Sequence, residues 1–385
     1  MLLPAGCKSK RSARDDAPLA STPRDASTPD AAAWPELASF PHTDPVRVVA
    51  LPAKPDVPRF DVGGPAVIGD VAIVSSSQFG FIAVDYKRGQ IAWTKPAGVR
   101  VAPPLAKGGS VVLIGDCLNP PEVPDGQQLL GCVRVVSPTG ADEGYVAIHG
   151  ALADVTPFAT SAGLQRVWSA SDRTVTWRRG EAAVSVDLVS GVATATSAED
   201  PPLVVHYKER TWEIRQTPEG MIAAREHGHD AWHTSRPYTK LLGAVYLPGQ
   251  SPMVRASNAG IFAGQPEMNL FDIDATGSLH GQVAFPVPGI MLLGHAIDSV
   301  GDVAIAVRLD RSISRDFIVG YAANALIMWV YPLPVQARPD PVGVAITSDA
   351  VVVFHDGDLL TILPELSAPP TSPGAARAPL ENPTP

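Results

Sequence analysis

One short pattern returns along this chain of 385 residues, and it limits the possible folds more than any single motif does. Its clearest copy is Phe81-Ile82-Ala83-Val84-Asp85-Tyr86-Lys87-Arg88-Gly89-Gln90-Ile91-Ala92-Trp93. Phe317-Ile318-Val319 leads to Trp329 over the same Phe-to-Trp distance. Ile222-Ala223 runs through Gly228 to Trp232, one residue shorter, and Ser185-Val186-Asp187 reaches Gly191 with the Asp85-to-Gly89 spacing. Leu270 to Gly277 is a further copy, and Val135 to Gly140 a shorter one. Each copy reads as an alternating apolar strand, a polar turn closed by Gly, and a second strand.

A second shared element lies upstream of each copy. Pro65 to Val74 is one version, followed by Pro104-Leu105 with Gly108 to Leu113, Ser299 to Ala306, and Thr347 to Val353. Weaker versions lie near Ala162-Gly163, Tyr207-Lys208 and Asn258-Ala259-Gly260. Together these make seven units of roughly 40–54 residues with four strands each, the signature of propeller blades. The last unit lacks its fourth strand: Leu359-Leu360-Thr361-Ile362-Leu363 runs into a Pro-rich tail. Val46-Arg47-Val48-Val49-Ala50-Leu51, ahead of the first unit, is an orphan strand that would close the ring and cover that edge. The expected fold is all-β, a seven-bladed propeller of four-stranded blades over residues 45–365, closed by an N-terminal strand.

Composition agrees with this reading. Pro (39) and Gly (33) punctuate the chain heavily, and 45% hydrophobic residues supply enough apolar surface for a large core. The net charge of −9 argues against nucleic acid as a partner. No stretch is apolar for the ~20 residues that a membrane helix needs.

The apolar-Ala-x-Asp-x3-Gly-x-x-x-Trp run of Phe81 to Trp93, and Phe271 to Gly277 with it, resembles the repeat of the pyrroloquinoline-quinone-like (PQQ-like) propeller superfamily. That superfamily includes quinone-dependent dehydrogenases and also non-enzymatic scaffold lipoproteins, among them the propeller lipoprotein of outer-membrane barrel assembly. The resemblance therefore implies a fold and leaves the function open. Similarity to the alcohol dehydrogenases would imply an adjacent Cys pair, which this sequence does not have.

The two ends read differently from the repeats. Ala5-Gly6-Cys7 resembles the end of a bacterial lipoprotein signal, with Cys7 as the lipidated residue. Pro4 stands where Leu is usual and the apolar region is short, so a start upstream is expected. Residues 8–44, rich in Ala, Pro, Ser, Thr and Asp, read as a tether, and residues 366–385 as a Pro/Ala-rich disordered tail. Cys117 and Cys132 flank a loop with apolar strands on both outer sides. They read as a disulfide at the base of a hairpin in an oxidising compartment, with two free buried thiols as the alternative.

Few residues suggest chemistry. Trp93, Trp232 and Trp329 recur at one repeat position, which suits packing between blades better than a single quinone site. Strand alternation would put His227, His229 and His233 on one face, but no second ligand-bearing element accompanies them. Asp272-Ile273-Asp274-Ala275-Thr276-Gly277 begins like a calcium loop, yet its twelfth position is Val283, so no bidentate carboxylate closes it. Neither a cofactor, a metal nor a catalytic constellation is expected.

Partner contacts are assigned to the loops between second and third strands. In the second blade these are Val123, Leu129 and Leu130, and in the sixth Arg308, Arg311 and Arg315. The expected protein is a non-catalytic, lipid-anchored scaffold of the cell envelope, on the periplasmic face of the outer membrane or the cell surface. It would act as a monomer within a complex of envelope proteins, with a role in outer-membrane protein assembly. The alternatives are a quinone- or small-molecule-binding propeller and a surface protein that binds polysaccharide or another cell.

Overall fold

The computed structural model describes residues 35–52, 62–98, 100–247, 249–262, 264–283, 287–309, 315–334 and 342–366. Cys7, the tether up to residue 34, the tail from residue 367 and Arg311 lie outside them.

A strand, β1 (Arg47–Ala50), precedes the first blade. Blade 1 is β2 (Val62–Ile68), β3 (Val71–Ser76), β4 (Gly80–Asp85) and β5 (Gln90–Lys95). Blade 2 is β6 (Leu105–Lys107), β7 (Ser110–Gly115), β8 (Gln127–Val136) and β9 (Asp142–Ala151). A helix, α1 (Leu152–Thr160), leads to blade 3: β10 (Gln165–Ser169), β11 (Thr174–Arg179), β12 (Ala182–Asp187) and β13 (Ala193–Thr196). Blade 4 is β14 (Leu203–Tyr207), β15 (Arg210–Gln216), β16 (Ile222–Glu226) and β17 (His229–His233). Blade 5 is β18 (Lys240–Val245), β19 (Met253–Phe262), β20 (Gln265–Ile273) and β21 (Leu279–Val283). Blade 6 is β22 (Met291–Ile297), β23 (Val303–Arg308), β24 (Asp316–Tyr321) and β25 (Ile327–Pro332). Blade 7 holds β26 (Gly343–Ile346), β27 (Ala350–His355) and β28 (Leu359–Pro364).

Seven four-stranded antiparallel sheets result, and the seventh is completed by β1. Arg47 pairs with Ile362 and Ala50 with Leu359, so the N-terminal strand covers the open edge of β28. The sevenfold, four-stranded, N-terminally closed propeller expected from the repeats is the fold observed.

The repeat's Asp and Gly have local causes. The Asp187 carboxylate accepts the N–H groups of Val189 (2.9 Å) and Ser190 (2.8 Å), and Gly191 takes φ 73° to close the turn. The Ser190 N–H leads the contacts that hold the Asp187 carboxyl down to about 2. Asp274 does the same for Thr276 (2.8 Å) and Ser278 (3.1 Å), so the calcium-like run is a turn.

The repeat Trp residues pack between blades. In β5, β17 and β25 the register slips just before Trp93, Trp232 and Trp329. Such a bulge re-aims the side chain that follows it. Trp93 lies over Gly140 and donates from Nε1 to the Pro138 carbonyl in blade 2 at 2.9 Å. Trp232 lies over Gly277 in blade 5.

Two of the weaker repeat units fall out of place. Asn258-Ala259-Gly260 lies inside β19, and the hairpin turn of that blade falls between Val245 and Met253. Ala162-Gly163 precedes β10, whose hairpin turns between Ser169 and Thr174. The helix α1 was not expected. It contains Pro157, and Val155 and Phe158 hold it by packing into the core shared by blades 2 and 3.

Six apolar clusters join neighbouring blades. They lie between blades 1 and 2, 2 and 3, 4 and 5, 5 and 6, 6 and 7, and 7 and 1. Among the described residues none joins blade 3 to blade 4. The cause is visible in strand chemistry. β23 reads Val-Ala-Ile-Ala-Val-Arg and is buried on both faces. β11 reads Thr-Val-Thr-Trp-Arg-Arg and β15 Arg-Thr-Trp-Glu-Ile-Arg-Gln, apolar on one face only. Val175 and Trp177 face blade 2, while Trp212 and Ile214 face blade 5. The polar faces of blades 3 and 4 are left toward each other.

Candidate functional site

The seam between blades 3 and 4 opens as a cleft of about 1570 Å³. Arg166 on β10, Arg178 on β11 and the connection Ser197-Ala198-Glu199-Asp200-Pro201-Pro202 line its blade 3 side. Glu213 and Arg215 on β15 and Arg225 on β16 line the opposite wall. Lys240 on β18 and His295 on β22 line its inner end, so the cleft reaches the first strands of blades 5 and 6.

Ion pairs take the place of an apolar seal. Arg166 forms a close pair with Asp200, and Arg178 stands 3.7 Å from the same carboxylate. Arg215 crosses from blade 4 to Glu199 at 3.1 Å. Exposed pairs of this kind are worth about 0–1 kcal/mol each. Each fully buried Val, Leu or Ile at the other interfaces contributes about 1.5–3 kcal/mol. The seam is the weakest joint of the ring by that comparison.

Charge accumulates at the inner end. Lys240 makes no ion pair among the described residues, and burial with the Arg166 charge beside it lowers its pKa. Burial, then Lys240 and Arg166, push His295 down to about 4, so it is neutral at pH 7. Gln216 braces the inner wall: its side chain donates to the Tyr238 carbonyl at 2.6 Å and accepts from the Leu241 N–H at 3.1 Å.

The residues expected to meet a partner sit elsewhere. Cys117 and Cys132 form a disulfide, which ties the end of β7 to the middle of β8. Val123 lies in the loop below it and is partly buried, but Leu129 and Leu130 belong to β8. Leu130 is buried with Val155 and Phe158 of α1 in the blade 2–3 core, because β8 begins at Gln127 and bulges at Leu130, between the paired residues Leu129 and Gly131. In blade 6, Arg308 is a strand residue directly opposite Asp316. Its guanidinium donates to both carboxylate oxygens at 2.8 Å with both side chains buried, so it is not free for a partner. Arg315 pairs with Glu36 at 3.1 Å and pins the short 3-10 turn Pro35–Leu37 to the ring.

The three His residues separate. His227 occupies a turn with φ 51°. The bulge in β17 puts His229 on the face of Trp232 and His233 on the face of Asp230. Among the described residues no group of three His, Cys, Asp or Glu side chains gathers as a metal site.

The exposed apolar residues of this region are a different set, with no repeat or spacing in the sequence to mark them. Leu118 (48% exposed) follows Cys117, Leu152 (53%) opens α1, and Leu164 (78%) precedes β10. In a four-stranded blade, loops after the second strand and connections between blades emerge on one face. All three leucines therefore share a face, and the Leu152 N–H donates to the Gly126 carbonyl at 3.0 Å, joining helix to loop.

No protein-family model and no curated protein matches the chain. Solved structures resemble it at the level of overall shape. A chain of the mitotic checkpoint complex is 10% identical with a TM-score of 0.46, over 93% of this chain and 98% of that one. The computationally designed Ika8 protein is 11% identical with a TM-score of 0.44, over 82% and 98%. BamB from Moraxella catarrhalis is 11% identical with a TM-score of 0.34, over 84% and 99%. The seven four-stranded sheets themselves define the fold.

Proposed function

We propose that this chain is a non-catalytic protein-interaction platform, exported to the cell envelope and anchored there through Cys7, with a role in outer-membrane protein assembly. The observation that carries the reading is the loop face of blades 2 and 3. There a disulfide and a helix fix Leu118, Leu152 and Leu164 in exposed positions. Apolar side chains gathered on one exposed face mark a protein-interaction surface. The disulfide favours an oxidising compartment, in keeping with export. The PQQ-like repeat resemblance adds a class in which scaffold lipoproteins occur.

The test is photocrosslinking in cells, with the crosslinker placed at residue 152 or 164. The expected result is one envelope protein recovered in near-equal amount, lost when Leu118, Leu152 and Leu164 are changed together to Asp. Unchanged recovery from that folded triple variant would remove this face from the interface. Palmitate labelling of wild type and Cys7→Ser reads the anchor separately.

A further inference from the structure

We infer that the seam between blades 3 and 4 is a second binding site, which takes an extended peptide segment whose leading end is acidic. Among the described residues, one blade interface lacks the apolar core that the others have. Six blade interfaces have an apolar cluster, and among the described residues this one has none. A ring that only had to be stable would gain most by sealing all seven interfaces. Here the facing strands present Thr176, Arg178 and Ser185 from blade 3 and Glu213, Arg215 and Arg225 from blade 4. The backbone continues through the gap in the short 197–202 connection, so the walls stay in place while the space between them remains open.

Size selects the class of occupant. The cleft volume of about 1570 Å³ exceeds the ~300–1,000 Å³ of small-molecule pockets. It reaches from Asp230 on the outer strand of blade 4 to Lys240 and His295 on the inner strands of blades 5 and 6. Crossing four strands at ~4.8 Å spacing covers ~15 Å, the length of four or five extended residues.

Charge selects the polarity. At the inner end Arg166, Arg178 and Lys240 surround the single carboxylate of Asp200, an excess of positive charge within a chain of net charge −9. His295 adds a neutral imidazole there. Over the rest of the lining, Arg215 and Arg225 are taken up by Glu199 and Asp230, which leaves the carboxylates of Glu181, Glu213 and Glu219 in excess. A uniformly anionic polymer such as nucleic acid would meet carboxylates along the rim. A peptide that enters with Glu, Asp or a free C-terminal carboxylate leading, and a neutral or basic part trailing, meets complementary charge at both ends. The ε-ammonium of Lys240, without an ion pair of its own, is the natural partner of the leading carboxylate.

This site does not rest on the loop face, so either can fail alone. The test is fluorescence anisotropy with a labelled heptapeptide Lys-Ser-Gly-Ser-Gly-Glu-Glu, beside the same peptide ending in Gln-Gln-amide. We expect saturable binding of the acidic peptide that weakens at least tenfold in Lys240→Met and in the Gln-Gln-amide peptide. Lys240→Arg should retain most of it, and the Leu118, Leu152 and Leu164 changes should leave it unaltered. No saturable binding at low salt, or equal binding by folded Lys240→Met, would overturn the proposal. Tighter binding of a ten-nucleotide single-stranded DNA than of the peptide would overturn it in favour of a polyanion site.

Discussion

Arg255 on β19 lies directly opposite Asp272 on β20, and its guanidinium donates to both carboxylate oxygens, at 2.7 and 2.8 Å, with neither side chain reaching solvent. The same guanidinium donates to the carbonyls of Gly301 (3.0 Å) and Ala323 (2.8 Å) in blade 6. A side chain that satisfies a buried carboxylate and two backbone acceptors of the next blade joins the two blades chemically as well as by packing.

Removal of one partner leaves the other charge buried and unpaired. Arg255→Ala is expected to cost about 3–5 kcal/mol. The double change Arg255→Met with Asp272→Leu should cost less than Arg255→Ala alone, because no charge is then stranded. Urea unfolding of the three proteins measures this. A double variant less stable than the single one would mean that the pair itself, and not the stranded charge, dominates.

Gly277 and Gly228 make a matched pair for the packing of the repeat Trp. Both have φ 82°, so Ala strains the backbone equally at either position. A Cβ on Gly277 would meet Trp232 at 2.8 Å, whereas nothing lies within 4 Å of one on Gly228. Gly277→Ala should therefore lose about 1–3 kcal/mol more than Gly228→Ala, the usual cost of overpacking. Equal losses in thermal melts would show that Trp232 yields freely and does not hold the blade.

The blade count and the cysteine pair were legible in the sequence because each has a short-range cause, and the closing strand because the last unit lacks a fourth strand that only the orphan N-terminal strand can supply. Asp187 and Gly191 shape their turn with local hydrogen bonds, so their spacing repeats wherever the turn does. The fate of Arg308 was not legible until register was known, since Asp316 neutralises it from across the hairpin. Helix α1 runs against local preference, with Pro157 inside, and exists because Val155 and Phe158 find a core. The open seam was written in the alternation of β11 and β15, against the continuous apolar runs of β23 and β27. It shows only when strands of different blades are compared with each other.

The Cys117–Cys132 bond closes a separation of 15 residues. In the chain-entropy model a loop of that size stabilises by about 3 kcal/mol. Cys117→Ser with Cys132→Ser should lower the unfolding midpoint to the value that wild type shows in reductant, and reductant should not lower the variant's midpoint further. A wild-type midpoint that ignores reductant would mean that the bond constrains only the 116–126 loop and not global stability.

Acid should weaken the ring through the inner end of the seam. His295 is held neutral, at about 4, by burial and then by the nearby charges of Lys240 and Arg166. In the unfolded chain a His takes up its proton near 6.5. Between those values the unfolded state binds the extra proton and the folded state does not, so stability falls as pH drops from about 6.5 to about 4 and levels off below. The upper bound for this one group is about 3 kcal/mol, at 1.36 kcal/mol per pH unit. His295→Gln removes the titration, so the difference in denaturation midpoint between the variant and wild type should change across that window and stay flat above pH 7. Parallel curves from pH 7 to pH 4 would refute the assignment and move the acid sensitivity to another group. The same scan with Lys240→Met relieves part of the repulsion, and it should shift the wild-type inflection toward higher pH.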